Sequence, residues 1–389
     1  SKPFFAYSSS LKFHPNSTTN PIAPEISKNS ETSNNPNAYS DLCELLGSKA
    51  LSQISKPARY LGNERGAVNK QWNSVQVRFC FAYPEIYEVG MSNTGHVILY
   101  SCINEEPNLL CDRSYLPASD MSQLLLDLNQ PLFAVESKKP LKDFDLLAIP
   151  VHYELGATNC LQLLKLADIP LTWKERDDAE KASGMNDLAQ GNERRDTTPG
   201  LKYPLVFAGG QTATGNPEPF CEFFDFISLG DGEEMLPEVG RVMAAVLDEN
   251  PYATREDILL KLAQTVKGVY VPRFYEARPE LNYAVRRIRD DIPARPVRQT
   301  CVPQPQRALA LVPYIETIHD RLVIEIRRGC TRGCRFCQPG TINRPARDVD
   351  PEVVKDAVVK GVTESGYREF SLLSLSCSDW LALPSTGVK

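Results

Sequence analysis

The stretch Glu325-Ile-Arg-Arg-Gly-Cys-Thr-Arg-Gly-Cys-Arg-Phe-Cys-Gln-Pro339 sets Cys330, Cys334 and Cys337 at the spacing Cys-x3-Cys-x2-Cys. The apolar run Leu322-Val-Ile-Glu-Ile326 comes directly before them, so the cysteines belong to a loop leaving a buried strand. Thiolates bind iron–sulfur clusters, and a loop this short can wrap one only where glycine relieves the backbone, as Gly329 and Gly333 do. Three protein ligands leave one iron of a 4Fe-4S cluster open to chemistry. A structural zinc knuckle or a set of buried thiols are the competing readings of the same residues. Zinc favours paired Cys-x2-Cys with a fourth Cys or His nearby, whereas His319 precedes the strand on its far side.

At 389 residues the chain has length for two or three domains. Its net charge of −6 argues against a general nucleic-acid surface, although Arg327, Arg328, Arg332 and Arg335 form a local basic patch that could meet an anion. The cysteine count is odd, 11, and apart from the one cluster the cysteines are scattered singly, which reads as a reducing compartment with free thiols. Nothing approaches the ~18 consecutive apolar residues of a membrane span. The first residue is Ser and the chain stops at Lys389 soon after an apolar strand, so a piece of a longer protein is expected.

Residues 1–40 are rich in Ser, Thr, Asn and Pro, poor in acids and without hydrophobic period, which reads as a disordered leader. With no arginine before Arg59, a plastid transit peptide, and hence a plastid stroma, fits better than a mitochondrial one; the cytoplasm is the other location considered. Residues 41–70 are expected as a helical segment. Over residues 71–250, short apolar strands alternate with helices: strands at Val75–Ala82, Leu109–Asp112, Phe133–Val135, Phe144–Val151, Tyr203–Ala208 and Phe226–Leu229, helices from about Asn93, Asp120, Thr158 and Glu233. That alternation predicts an α/β fold with a parallel, doubly wound, Rossmann-like sheet. Asp177 to Gly200 is charged and aperiodic and reads as a surface insertion.

Ligands of such sheets lie beyond the carboxyl ends of the strands. Three glycine-bearing loops fall there: Gly90 to His96, Tyr153 to Asn159, and Gly209-Gly-Gln-Thr-Ala-Thr-Gly-Asn-Pro-Glu-Pro219. Gly90, Gly209, Gly210 and Thr214 are the candidate cofactor contacts. His96 and His152 also follow strands, but a lone histidine is more often structural than a ligand. Residues 251–307 contain a helix, a strand at Gly268–Val271 and a proline-rich stretch expected to be a stiff linker between domains. Residues 308–389 begin a second domain, with Leu322–Ile326 as its first strand, a helix from Pro351 capped by Asp350 and stopped at Gly366, and a second strand from Phe370. Ser374, Ser376, Ser378 and Asp379 follow that strand, where barrel enzymes place working loops.

The cysteine spacing, with Phe336 directly before the last cysteine, resembles the radical S-adenosylmethionine (SAM) superfamily. The loop at Gly209 and the run Phe226-Ile-Ser-Leu-Gly-Asp-Gly-Glu-Glu234 resemble signatures of cobalamin-binding domains fused ahead of radical SAM domains. From about residue 70 onward the chain resembles a cobalamin-binding-type radical SAM family. This resemblance implies a Rossmann-like domain followed by the first part of a partial (β/α) barrel, most of whose SAM and substrate pocket lies outside this chain. It implies a 4Fe-4S cluster on Cys330, Cys334 and Cys337, with SAM chelating the open iron and yielding a 5′-deoxyadenosyl radical on reduction. Phe336 would pack near adenine, and Ser376 and Asp379 would lie where the SAM amino group is met. A reductant such as ferredoxin or flavodoxin is implied as partner; no catalytic residue and no particular substrate is. The histidine motif Asp-x-His-x-x-Gly of some cobalamin proteins is absent, so either cobalamin is held without a histidine ligand or the sheet binds nothing. Methyl transfer or rearrangement fits these parts. A methylthiotransferase would need a second cysteine trio, and Cys80, Cys102, Cys111, Cys160 and Cys221 lack that spacing. A non-enzymatic cluster- or cobalamin-based sensor or assembly module is the remaining alternative.

Overall fold

The computed structural model describes residues 10–12, 38–182, 198–278, 280, 284–309 and 311–382. The chain divides into two compact units: a larger one of Asn37–Gly62 and Lys70–Cys301, and a smaller one of Ser1–Pro36, Asn63–Asn69 and Val302–Lys389. Strand β1 (Ser10–Lys12) belongs to the smaller unit. The larger is built on β2 (Val77–Tyr83), β3 (Leu109–Tyr115), β4 (Leu146–Pro150), β5 (Leu205–Gly209), β6 (Phe226–Ser228) and β7 (Val269–Tyr270).

These six strands lie in the order β3-β2-β4-β5-β6-β7, five of them parallel and β7 antiparallel to β6. The second strand beside the first, and the first beside the third, is the doubly wound order that the alternating pattern predicts. Every residue of β2 and β3 is buried, as parallel strands covered by helices require. The covering helices include Thr94–Asn104, Ser119–Asp127, Ala157–Leu166, Gly232–Glu249 and Arg255–Thr265. Asn93 caps the first of them by accepting the His96 N–H at 3.0 Å, and Thr254 closes a capping box with Asp257 on the last. Phe207 stacks on Phe226 with ring centroids 4.5 Å apart in the core beneath.

The expected strand at Phe133–Val135 is instead a cover for the edge strand β3. Val135 donates its N–H to the Arg113 carbonyl at 2.7 Å, Ser114 Oγ donates to the Phe133 carbonyl, and Phe133 forms only an isolated bridge with Pro140. An apolar triplet satisfies either role, and here it blunts a sheet edge. The charged stretch read as a surface insertion is ordered at both described ends: helix Trp173–Ala182 runs into it, and Thr198 is buried against Asp145. Residues 183–197 lie outside the described residues.

The region read as an interdomain linker belongs largely to the larger unit. β7 completes the main sheet, and β8 (Tyr275–Arg278) with β9 (Ala284–Arg287) forms an antiparallel hairpin. The proline-rich part is pinned to it rather than free. Gln299 bridges Gly230 in parallel, the Cys301 N–H donates to Asp231 Oδ2 at 2.9 Å, and Tyr275 Oη donates to the Pro293 carbonyl. Proline spacing predicts extension, which is present; the backbone bonds of the residues between the prolines decide what the extended chain lies against.

The smaller unit contains β10 (Leu322–Glu325), β11 (Arg327–Arg328), β12 (Arg347–Asp348) and β13 (Glu369–Leu373). β10 and β13 are parallel neighbours, β11 and β12 form a short antiparallel clip, and helix Pro351–Ser365 connects β12 to β13. Asp350 caps that helix by accepting the Glu352 N–H, and Gly366 ends it in the left-handed conformation, both as the sequence predicts. Leu322, Ile324, Ile326, Val349, Val354, Ala357 and Trp380 form its core. One departure is β1: Ser10–Lys12, within the stretch read as a disordered leader, pairs antiparallel with β13. An open strand edge recruits extended backbone through its N–H and C=O groups, which no side-chain pattern announces. Apart from Ser10–Lys12 and the start of the helix at Ala38, the leader lies outside the described residues.

Candidate functional site

In the smaller unit, β10 and β11 deliver the chain into the cysteine loop. Gly329 turns it at φ +83°, in a place where a Cβ would sit 2.4 Å from the Asn343 carbonyl oxygen, so only glycine fits. The three thiols are free; Cys330 and Cys337 are half-buried and Cys334 is exposed. Cys330 Sγ accepts the Arg332 backbone N–H and Cys337 Sγ accepts that of Gly340, each at 3.4 Å. The Cys337 N–H in turn donates to the Cys334 carbonyl at 3.1 Å. Soft donors with N–H groups directed at sulfur are the donor set an iron–sulfur cluster takes, so the residue types fit that group. The loop has not drawn the three sulfurs together: among the described residues no three His, Cys, Asp or Glu side chains are gathered so as to hold a metal ion.

The basic patch is largely neutralised from within. Arg328 pairs with Glu325 at 2.8 Å, Arg327 with Asp348 at 2.8 Å, and Arg332 makes a two-pronged pair with Asp379, Nε to Oδ2 at 2.7 Å. Hydrogen bonding from Arg332 holds the Asp379 carboxyl below the usual carboxylate range. The structure thus brings Asp379, in the turn Cys377–Asp379 beyond the second strand, onto the cysteine loop. Ser376 stands beside it, its N–H donating to Ser374 Oγ at 3.2 Å. Phe336 stays apart, 90% exposed.

In the larger unit the strand order reverses between β2 and β4, the place where doubly wound sheets open a crevice at the carboxyl ends of their strands. The loops after β2 and β4 meet across it. Tyr153 Oη donates to Glu85 Oε1 at 2.5 Å, and Asn159 Nδ2 donates to the Pro84 carbonyl at 2.9 Å and to Glu85 Oε1 at 3.2 Å. Bonding to Glu85 pushes the Tyr153 hydroxyl up to about 12. Tyr83 and His152 stand at the crevice with ring centroids 5.8 Å apart, and burial lowers the His152 pKa.

Of the expected glycine contacts, Gly209 and Gly210 sit on this edge. The Gly209 carbonyl accepts the Val151 N–H at 2.7 Å, and Gly210, at φ +97°, leaves only 2.9 Å between a built Cβ and the Val151 carbonyl oxygen. Thr214 Oγ1 accepts the Gly230 N–H at 3.0 Å, tying the β5 loop to the β6 loop. Gly90 faces inward, where a Cβ would lie 2.5 Å from the Tyr115 ring. His96 is also interior, in a cage of Phe81, Tyr83 and Tyr115. Its Nε2 lies 3.3 Å from Tyr115 Oη and its Nδ1 has no hydrogen-bond partner. Burial, with Arg113 and His152 nearby, lowers its pKa to about 3. Glu85 and Tyr153 were not among the expected site residues; Tyr-Pro-Glu directly after a strand is the local signal that marks the first of them.

Residues 95–272 match the family model of radical SAM proteins, N-terminal. The match runs from the first covering helix to just past β7, within the larger unit, and does not include the cysteine loop. Uncharacterized protein MJ0966 of Methanocaldococcus jannaschii is 22% identical over 258 residues, which cover 65% of this chain and 43% of that protein. The chain therefore spans less than half the length of this curated relative. Among solved structures, the cobalamin-dependent S-adenosylmethionine radical enzyme OxsB with aqua-cobalamin and S-adenosylmethionine bound is 14% identical, with a TM-score of 0.40, over 75% of this chain and 32% of that one. The radical S-adenosylmethionine methyltransferase TsrM from Kitasatospora setae, with cobalamin and a 4Fe-4S cluster bound, is 11% identical, with a TM-score of 0.35, over 75% of this chain and 47% of that one. No described helix is long and apolar enough to cross a membrane.

Proposed function

We propose that the full-length protein is a radical SAM enzyme whose cluster is held by Cys330, Cys334 and Cys337, with a corrinoid site at the switch point of the larger unit. The observation that carries this reading is the trio of free thiols on the loop leaving the first strand of a parallel strand–helix–strand unit, with Asp379 reaching that loop from the turn after the second strand. The family-model match over residues 95–272 supports it from a separate stretch of chain. Bound in these places, a 4Fe-4S cluster would supply one electron to the sulfonium of SAM and a corrinoid would supply a methyl group.

The chain's own residues do the holding and orienting. The three thiols would be the iron ligands, and the Arg332 and Gly340 N–H groups would disperse charge on two of the sulfurs. Phe336, exposed beside the last cysteine, would offer its ring to adenine, and Ser376 and Asp379 would meet the SAM amino group from the turn after the second strand. Beside the switch point, Gly209, Gly210 and Thr214 hold the loops after β4, β5 and β6 in register, while Glu85, Tyr153 and His152 at the switch point would present polar groups to a ligand. A methylthiotransferase reading has less support. Cys80, Cys102, Cys111 and Cys160 are buried and Cys221 is half-buried, the first four each on a different strand or helix, and burial pushes the Cys80, Cys111, Cys160 and Cys221 thiols upward.

Methyl transfer or rearrangement on an unactivated carbon is the proposed outcome, a ferredoxin- or flavodoxin-type protein the proposed electron donor, and the plastid the proposed location, the last on the composition of residues 1–40. The test is anaerobic reconstitution of the full-length protein with iron, sulfide and hydroxocobalamin, followed by reduction in the presence of SAM. Release of 5′-deoxyadenosine with a corrinoid retained through gel filtration supports the reading. Retained iron–sulfur absorbance without SAM cleavage contradicts the enzyme and points to the sensor or assembly alternative.

A further inference from the structure

Asp379 is fixed on one side and engaged on the other. Its carbonyl accepts Arg327 Nη1 at 2.8 Å, its N–H donates to the Ser376 carbonyl at 3.2 Å, and the next residue, Trp380, is 2% exposed in the core of the smaller unit. Its carboxylate, 14% exposed, grips Arg332 through both oxygens. Arg332 is the midpoint residue between Cys330 and Cys334, and its backbone N–H is the donor to Cys330 Sγ. The loop it belongs to is otherwise outward: residues 331–336 are all exposed.

We infer that Asp379 is a positioning residue for the cysteine loop, clamping Arg332 so that the loop tip lies against the turn Cys377–Asp379 and the Arg332 N–H stays directed at Cys330. The anchor is rigid because its own backbone is bonded on both sides and its neighbour is buried. The tip is tethered because the Arg332 side chain, while paired with the carboxylate, ties its residue, and with it the peptide that bonds Cys330, to the body of the unit. A two-pronged guanidinium–carboxylate pair fixes direction as well as distance, which a lysine at this position would not. The clamp acts before any metal arrives, restricting how far Cys330 and Cys334 range from the body of the unit; its importance for the enzyme rests on the reading of these cysteines as cluster ligands.

The clamp is tested on the metal-free full chain, reduced and anaerobic, by pulsed iodoacetamide labelling with each cysteine followed by mass spectrometry. Asp379→Asn is expected to raise the labelling rates of Cys330 and Cys334 about threefold, the modest factor that an ion pair with one exposed partner commands. Asp379→Glu is expected to restore most of the protection, and ~1 M salt to reproduce the asparagine effect in the wild type. Half-buried Cys377, packed against the core of the smaller unit, serves as the fold reference. If Asp379→Asn also exposes Cys377, Arg332→Gln breaks the same pair from its solvent side and is expected to give the same rise. Unchanged rates in whichever variant keeps Cys377 protected overturn the clamp. Iron uptake is measured on the same preparations. A labelling change without iron uptake leaves the clamp standing and removes the cluster; iron uptake without a labelling change does the reverse.

Discussion

The His96 imidazole is held neutral inside the aromatic cage, with a folded pKa of about 3 against an ordinary 6.5. Above pH 6.5 neither the folded nor the unfolded ring takes a proton, so the group is silent there. As pH falls from 6.5 toward 3, the unfolded chain binds a proton that the folded chain refuses, and stability drops by up to ~1.4 kcal/mol per pH unit from this ring alone. His152, lowered by burial, acts in the same direction. Urea midpoints measured at pH 6.5 and 4.5 check this: His96→Phe is predicted to lose less stability between the two than the wild type, and an equal loss contradicts it. At this scale the sequence carries what spacing can carry. The cysteine trio reads directly, because its ligands are neighbours along the chain. The partners Arg332–Asp379 and Glu85–Tyr153 do not read as pairs, since 47 and 68 residues separate them and only folding brings them together. Gly90 reads as a loop glycine but serves as clearance for the Tyr115 ring.

Helices and strands were legible where period and caps agree. Helix Pro351–Ser365 shows this, with its Asp350 cap, Pro at the first position and left-handed Gly366. Within it, Gly361 looks like a weak point, since alanine favours a helix by ~1 kcal/mol. Packing decides otherwise: a Cβ there would meet Leu322 Cδ2 of β10 at 2.5 Å. Gly361→Ala is therefore predicted to destabilise the smaller unit by ~1–3 kcal/mol, the cost of overpacking. Thermal denaturation of the pair checks it, and a raised midpoint would sink the argument. What did not read at this scale was backbone pairing. β1 and the bridge at Gln299 are made by main-chain groups on segments whose side chains signal a leader and a linker.

Across the larger unit, one carboxylate joins several elements. Asp225, wholly buried at the entrance to β6, pairs with Arg176 at 3.2 Å, Arg255 at 2.9 Å and Arg273 at 3.3 Å, linking helices Trp173–Ala182 and Arg255–Thr265 to the turn after β7. Burial alone would raise its carboxyl, but the three guanidiniums hold it below the usual range. Asp225→Asn leaves buried Arg176 short of a counter-charge, while Arg255 keeps Glu180 and Arg273 keeps Asp177, and is predicted to cost ~3–5 kcal/mol in urea denaturation; a loss under ~1 kcal/mol contradicts the assignment. The parallel sheet itself was legible from strand–helix alternation, and the switch point follows from its order. The division between units falls after Cys301 rather than near residue 307, because hydrogen bonds, not composition, place the proline-rich stretch. The thiols of Cys330, Cys334 and Cys337 carry the proposed function, and iron with acid-labile sulfide measured after anaerobic reconstitution tests their role most directly. About four irons and four sulfides per chain are predicted for the wild type, and loss of both in Cys334→Ala. Zinc without sulfide in the wild type, or full iron and sulfide retained by Cys334→Ala, would contradict it.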